Sequence, residues 1–250
     1  MSKIRNMELA QIAESPVFET ISEAPKPALR RRRLPLPLTF EERADMGKRE
    51  VRVAATFQEY LDLAHDCDYR VHYRNGFIIS FIEIEEKTDI IMGEATITHE
   101  RLVARFCYFL TTILGIDSDF SIMGSNSKIF IGAERGGYNP DVMVVNGTIE
   151  KRKYKSNKRT STGIVNPYLI VEILSKSTRD FDLSEKLTDY KLIPSLQQII
   201  FVEQGSVWAS TYIRKSNNEW RNLDFTSLDE SIPVADGFIA LNQLYSKILE

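Results

Sequence analysis

The chain has 250 residues, 43% of them hydrophobic and 27% charged, with a formal net charge of −3. That is apolar material enough for one large domain, or one domain with appendages, and too much for a disordered chain. Its wholly apolar runs fall far short of the ~20 residues a spanning helix needs, and residues 1–30 hold acids and prolines where a secretory signal needs an apolar stretch.

Two cysteines, Cys67 and Cys107, are too few for a disulfide framework or a zinc site. The remaining class is a cytoplasmic enzyme or binding protein. The net charge argues against a strongly basic nucleic-acid binder, but cations cluster. Arg30 to Arg33 form one block, and residues 151–159 hold six cations and no acid. Such patches keep nucleic acid open as a partner.

Residues 1–50 read as a separate arm. Pro16, Pro25, Pro27, Pro35 and Pro37 punctuate it, with a short helical stretch near 5–14. The Leu34-Pro35-Leu36-Pro37-Leu38 stretch reads as extended, because proline fixes φ and biases its predecessor away from helix. Two readings stand: a flexible or partly ordered extension, and an arginine arm that touches DNA or RNA.

The main domain is expected over 51–250. Thr56 and Glu59 form a capping-box start to a helix. Residues 69–82 read as a hairpin turning at Arg74-Asn75-Gly76. Leu102, Phe106, Phe109, Leu110 and Ile113 recur at helical spacing across 98–114, with Gly115 as the C-cap. Short strands are expected at 120–123, 128–131 and 141–145. Tyr168 to Leu174 reads as a strand buried on both faces. A helix over 180–192 turns Leu183, Leu187, Tyr190 and Ile193 inward and stops at Pro194. Strands at 198–202, 207–214 and 220–225 complete an α+β, or mixed α/β, arrangement without repeats.

Two carboxylates have neighbours that are wrong for a solvated charge. Asp141 opens Pro140-Asp141-Val142-Met143-Val144-Val145, and Glu172 sits inside Leu169-Ile170-Val171-Glu172-Ile173-Leu174. A charge in a central strand costs several kcal/mol unless it is paired or binds a metal. The two acids either converge on a hard divalent cation such as Mg²⁺, or face solvent or pair with arginine. Ser177, Thr178 and Asp180 are candidate caps for the following helix. Lys186 on that helix either points back to the sheet or pairs at the surface with Asp182 at i, i+4.

The segments 140–145 and 167–178, followed by Asp182, Lys186 and Tyr190, resemble the Uma-two family of putative restriction endonucleases within the PD-(D/E)xK nuclease superfamily. The Asn75-Gly76 hairpin, His99 at a helix start and the strand at 198–202 fit the same layout, over roughly residues 56–245. The resemblance implies a restriction-endonuclease-like core, a mixed sheet flanked by helices, with an N-terminal hairpin and an extended arm.

It further implies a Mg²⁺- or Mn²⁺-dependent endonuclease acting on DNA, with a homodimer as a further possibility and no membrane partner. Asp141, Glu172 and the Ile173 carbonyl would hold the metal. Asp141, Glu172 and Lys186 would be catalytic, while Lys151, Arg152, Lys153 and Lys155 of a mobile loop would grip phosphates. Glu100 or His99 is a weaker candidate ligand. The chain departs from the pattern at Leu174, where the superfamily carries lysine, at His72, where members carry an acid, and at Asn75, where Asp is common. Those departures favour a competing reading: a weak or inactive member serving as a nucleic-acid-binding or protein-interaction module. Hydrolysis of another phosphodiester is a third.

Overall fold

The computed structural model describes residues 35–84, 91–92, 96–157 and 159–249. Two sheets carry the architecture. The central sheet has six strands in the spatial order Glu219–Phe225, Ala209–Ser216, Gln198–Glu203, Leu169–Leu174, Val142–Asn146 and Phe120–Gly124. Neighbours run antiparallel except Leu169–Leu174 and Gln198–Glu203, which are parallel. A parallel pair needs a crossover, and the helical run 179–190 lies between these two strands in the chain. The second sheet has seven strands in the order Glu50–Ala54, Phe77–Phe81, His72–Arg74, Gly136–Tyr138, Ile129–Ile131, Thr160–Ile164 and Lys151–Lys155.

Strand alternation sorts the core into layers. Val142, Val144, Leu169, Val171 and Ile173 pack with Leu102, Phe106 and Leu110 of the helix Ile97–Leu114. On the opposite face Met143, Val145, Ile170 and Leu174 meet Phe181, Leu187 and Tyr190 of the crossover helix, with Ile79, Ile129, Ile131 and Tyr138 from the second sheet. The outer face of that second sheet is covered by the helix Phe57–Asp66 through Phe57, Tyr60 and Leu61. Among the described residues no helix is long and apolar enough to cross a membrane.

Local signals in the sequence act as expected. Thr56 accepts from the Glu59 backbone N–H at 3.1 Å, and Glu59 returns a bond to the Thr56 N–H at 2.7 Å. Asn75 and Gly76 take φ of 46° and 87° in the tight turn between His72–Arg74 and Phe77–Phe81. Asparagine and glycine are the residues that tolerate such values. The long helix ends at Gly115 with φ of 85°.

Four differences stand out. The arm expected over 1–50 is packed where it is described: Leu36 is buried with Val51, Phe57 and Tyr69. Arg43 is fully buried and donates to Ser80 Oγ and to the Ser80 and Lys48 carbonyls. Residues 1–34, with the arginine block and the helical stretch near 5–14, lie outside the described residues. The expected mobile loop at 151–163 is instead a hairpin, Lys151–Lys155 against Thr160–Ile164, held as a sheet ladder.

The strand Gly136–Tyr138 went unread because its glycines are poor strand formers. Gly137 is required there, since a Cβ would lie 2.8 Å from the Tyr60 ring. Finally, the helix over 180–192 is Arg179–Phe181, a π-helical turn Asp182–Lys186, and Leu187–Tyr190. A π turn adds a residue to the repeat. Asp182 and Lys186 are buried, and Leu183, expected on the inner stripe, is only half-buried.

Candidate active site

Register brings the two sequence-read acids together. Val171 pairs with Val142, which makes Glu172 and Asp141 the next opposed positions. Both share the strand parity of Met143, Ile170 and Leu174, and so face the crossover helix. Asp141, Glu172, Asp182 and Lys186 are each at most 4% exposed. All four line one cleft of about 180 Å³, which opens between the two sheets with His72 and Arg70 on its far wall.

Asp141 is held from three sides. Its Oδ2 accepts from the Ile173 backbone N–H at 2.8 Å, and its Oδ1 lies 3.1 Å from His99 Nε2 and 3.6 Å from the Arg70 guanidinium. His99 is fixed by the helix start, where its backbone N–H donates to the N-cap Thr96 Oγ1 at 3.0 Å. Its Nδ1 lies 3.3 Å from Glu100, whose side chain is mostly exposed. Burial raises the Asp141 pKa, but the bond and charge of His99, with Lys186 and the Ile173 N–H, outweigh it and hold the carboxyl below its usual range.

Glu172 has a different environment. Lys186 Nζ lies 2.7 Å from its Oε1, and the Tyr190 hydroxyl donates to the same oxygen. Burial pushes Glu172 up against the pull of Lys186, and Asp141 and Asp182 add to the rise. Lys186 also reaches Asp182 Oδ1 at 3.2 Å. Burial works against its ammonium, but Asp182, Glu172 and Asp141 hold the proton more tightly than in water. Lys186 therefore makes the i, i+4 pair and points to the sheet at once, and it does so in the interior.

The hydroxyls of the 175–178 loop form a directed chain. Thr178 Oγ1 donates to Asp182 Oδ2 at 2.6 Å, and Ser175 Oγ lies 3.0 Å from Thr178 Oγ1 and 2.9 Å from Ser177 Oγ. A hydroxyl has one proton. With the Thr178 proton given to Asp182, Ser175 donates to Thr178 and Ser177 donates to Ser175. The loop thus aims its donors at Asp182 and keeps none for a ligand.

Other sequence-read residues fall elsewhere. Leu174 points to the same face as Glu172 and is buried in the core, so its side chain adds no charge. Lys151, Arg152, Lys153 and Lys155 lie on the last strand of the second sheet, four strands from His72–Arg74, roughly 19 Å at the usual strand spacing. None lines the cleft. They follow Asp141 in sequence, but the chain crosses to the other sheet before returning at Leu169. Arg70, at the rim, was not singled out, and a lone arginine before a strand carries no signal. Tyr190 was read as an apolar helix position, which conceals its hydroxyl bond.

A divalent cation suits the oxygen donors of Asp141 and Glu172. Three buried carboxylates, Asp141, Glu172 and Asp182, share the cleft with Lys186, His99, His72 and Arg70, and burial, with the neighbouring acids, pulls Glu172 and Asp182 upward against Lys186. Among the described residues no three His, Cys, Asp or Glu side chains close into a ligand set. Mg²⁺ is commonly held by one or two carboxylates, with water and phosphate oxygens completing its shell.

The mixed sheets flanked by helices define a nuclease-like α+β fold, with an opposed pair of buried acids facing a helix-borne lysine. The family model described as "Uma2: Putative restriction endonuclease" matches residues 57–244, and the chain belongs to that family. It is 30% identical over 141 residues to the uncharacterized protein sll1609 of Synechocystis sp. (strain ATCC 27184 / PCC 6803 / Kazusa), covering 54% of this chain and 76% of the relative. It is 32% identical over 129 residues to slr1290 of the same organism, covering 52% of this chain and 62% of that one. The fold also matches the crystal structure of a putative nuclease belonging to DUF820 from Anabaena variabilis ATCC 29413. That match has a TM-score of 0.54 and 14% identity over 76% of this chain and 97% of the other. At that identity the likeness concerns the fold alone.

Proposed function

We propose that this protein is a metal-dependent endonuclease that hydrolyses DNA phosphodiester bonds at the cleft between its sheets. The carrying observation is the convergence of Asp141, Glu172 and Lys186: two opposed acids on one sheet face, with the lysine ammonium 2.7 Å from Glu172. Asp141, Glu172 and the Ile173 carbonyl would hold Mg²⁺ or Mn²⁺. The bound ion would lower the pKa of a water and offset charge on the scissile phosphate.

The chain's own residues divide the remaining work. His99 and the Ile173 N–H orient Asp141 and keep it ionised. Tyr190 and Lys186 fix one oxygen of Glu172. Asp182, tied to Thr178, positions Lys186, whose ammonium stabilises negative charge developing at phosphorus. Lys186 thereby takes the place of the lysine absent at Leu174. Lys151, Arg152, Lys153 and Lys155 would meet the backbone of a long duplex away from the cut. Residues 35–50, packed against the 51–250 domain through Leu36 and Arg43, would belong to it.

The test is cleavage of plasmid, single-stranded DNA and RNA with Mg²⁺ and with Mn²⁺. Metal-dependent cutting of DNA that Lys186→Ala lowers about 10²–10³-fold is the expected result. No cutting of any substrate would favour the binding-module reading, which Leu174 supports. Full activity in Lys186→Ala would return that residue to an ion-pair role.

A further inference from the structure

The cleft contains one buried polar group that the arrangement above leaves unused. His72 is 5% exposed and lines the cleft, and its Nδ1 is fully buried with no hydrogen-bond partner among the described residues, which leaves Nε2 as the nitrogen able to carry a proton toward a ligand. Its ring packs against Phe181, Tyr138 and Phe81, with centroids 5.5, 6.0 and 6.1 Å away. A buried polar atom without a partner is costly, and a native structure that keeps one calls for an explanation.

A census of donors in the cleft narrows that explanation. Lys186 gives two of its three N–H donors to Glu172 and Asp182, and His99 meets Asp141 and Glu100. Tyr69 donates to the Pro37 carbonyl, Thr96 to Gln204, and Gln204 to the Leu174 carbonyl. The hydroxyl chain of Ser177, Ser175 and Thr178 runs to Asp182. Besides the third Lys186 N–H and the second Gln204 N–H, two lining side chains make no donor hydrogen bond among the described residues. One is the His72 imidazole. The other is Arg70, two residues away, half-exposed, and 3.6 Å from Asp141, longer than a hydrogen bond.

We propose that His72 and Arg70 form a phosphate-recognition wall, donating to non-bridging oxygens of the nucleic-acid strand that lies over Asp141 and Glu172. The inference rests on the nuclease reading and adds its substrate contact. Burial, with Lys186, Arg70 and Lys128 nearby, holds the imidazole well below its ordinary pKa. A neutral imidazole has one N–H to give and adds no charge to be desolvated. The same cationic surroundings favour an anion in front of it. Arg70 brings the planar fork that suits phosphate geometry.

Binding of a fluorescent DNA oligonucleotide, single-stranded or duplex, to the full chain in EDTA tests the assignment by anisotropy without cleavage. His72→Phe keeps the ring contacts and removes the N–H, and should weaken binding by about ten- to a hundredfold. Its melting temperature should hold or rise, because a costly unpaired group is gone. His72→Gln keeps a donor and should retain most of the affinity. Arg70→Ala should weaken binding and reduce the log–log salt slope by about one phosphate contact.

Wild-type affinity in His72→Phe overturns the wall and leaves the nuclease reading intact. A marked fall in the melting temperature of His72→Phe, with affinity retained, overturns it in favour of a packing role. A folded wild-type protein that binds neither DNA form, and cuts none with metal, overturns the nuclease reading and the wall together.

Discussion

The crossover helix separates two charge networks that differ in exposure to solvent. On one side Asp182 and Lys186 meet Glu172 and Asp141 in the cleft, with three carboxylates, one lysine and His99. On the other, Glu185 and Asp189 dock the helix on the second sheet. Arg74 lies 2.8 Å from both acids, Arg135 lies 3.3 Å from Asp189, and the Tyr138 hydroxyl donates to Asp189 at 2.6 Å. Arg52 closes on Glu185 from the strand Glu50–Ala54. Glu50 pairs with Arg52 in turn, so among the described residues three arginines face three acids.

The proton equilibria follow the difference. The hydrogen bond from Arg52, together with Arg74, holds Glu185 below its usual range despite partial burial, whereas burial and neighbouring acids push Glu172 above its own. One network is compensated by the chain itself and holds elements together. The other gathers three buried carboxylates around Lys186, His99 and Arg70 in a cleft. One helix thus turns adjacent residues to different networks, Glu185 to the second sheet and Lys186 into the cleft.

The comparison predicts unequal responses. Asp189→Asn should be the most costly for stability. It removes the fully buried carboxylate shared by Arg74, Arg135 and the Tyr138 hydroxyl, leaving Arg74 only Glu185, and urea unfolding should show a loss of about 3 kcal/mol. Glu172→Gln should do the reverse. It removes a carboxylate whose charge burial disfavours while keeping an oxygen for Tyr190 and Lys186, so melting in EDTA should occur at equal or higher temperature than wild type. A clear destabilisation would mean that the cleft is balanced as it stands.

Neutralising Lys151, Arg152, Lys153 and Lys155 together should leave melting unchanged, since these side chains are exposed. It should flatten the salt dependence of binding to long duplexes more than to short oligonucleotides. An unchanged slope with both would show that the hairpin does not meet DNA.

The smallest effect should be Arg52→Ala, with less than about 1 kcal/mol lost at neutral pH because the pair is solvent-screened. The depressed Glu185 pKa means that its contribution is present above the unfolded carboxylate range and disappears as pH falls through the folded value. The difference between variant and wild type should therefore close on acidification. A gap that persists in acid would assign the loss to packing of the arginine stem.

Much of this was legible in the sequence, and the reason is physical. An acid inside Leu169-Ile170-Val171 and Ile173-Leu174 contradicts its surroundings, so Glu172 announces itself, as does Asp141 beside Val142. The caps at Thr56 and Gly115 and the Asn75-Gly76 turn act through neighbouring backbone, and a one-dimensional reading sees them. Resemblance pointed to Lys186, but a uniform helical repeat left it at the edge of an apolar stripe. The π turn that buries it depends on tertiary packing.

The basic hairpin misled because nearness in sequence to Asp141 and Glu172 says nothing of sheet order. Pairing across the second sheet carries it to the far edge. Arg70, His72 and the hydroxyl chain are defined by who else holds a proton, which no spacing rule records.

Titration of Mn²⁺ into the protein by calorimetry, with Asp141→Asn and Glu172→Gln beside wild type, addresses the central claim. The cleft's opposed carboxylates, Asp141 and Glu172, should give one site in wild type that either substitution abolishes, with protons released as the ion binds. Saturating metal should also raise wild-type stability by about 2.7 kcal/mol at a hundredfold excess over the dissociation constant, and leave both variants unmoved. A wild-type protein that binds no Mn²⁺, or variants that bind it as well as wild type, would contradict the account.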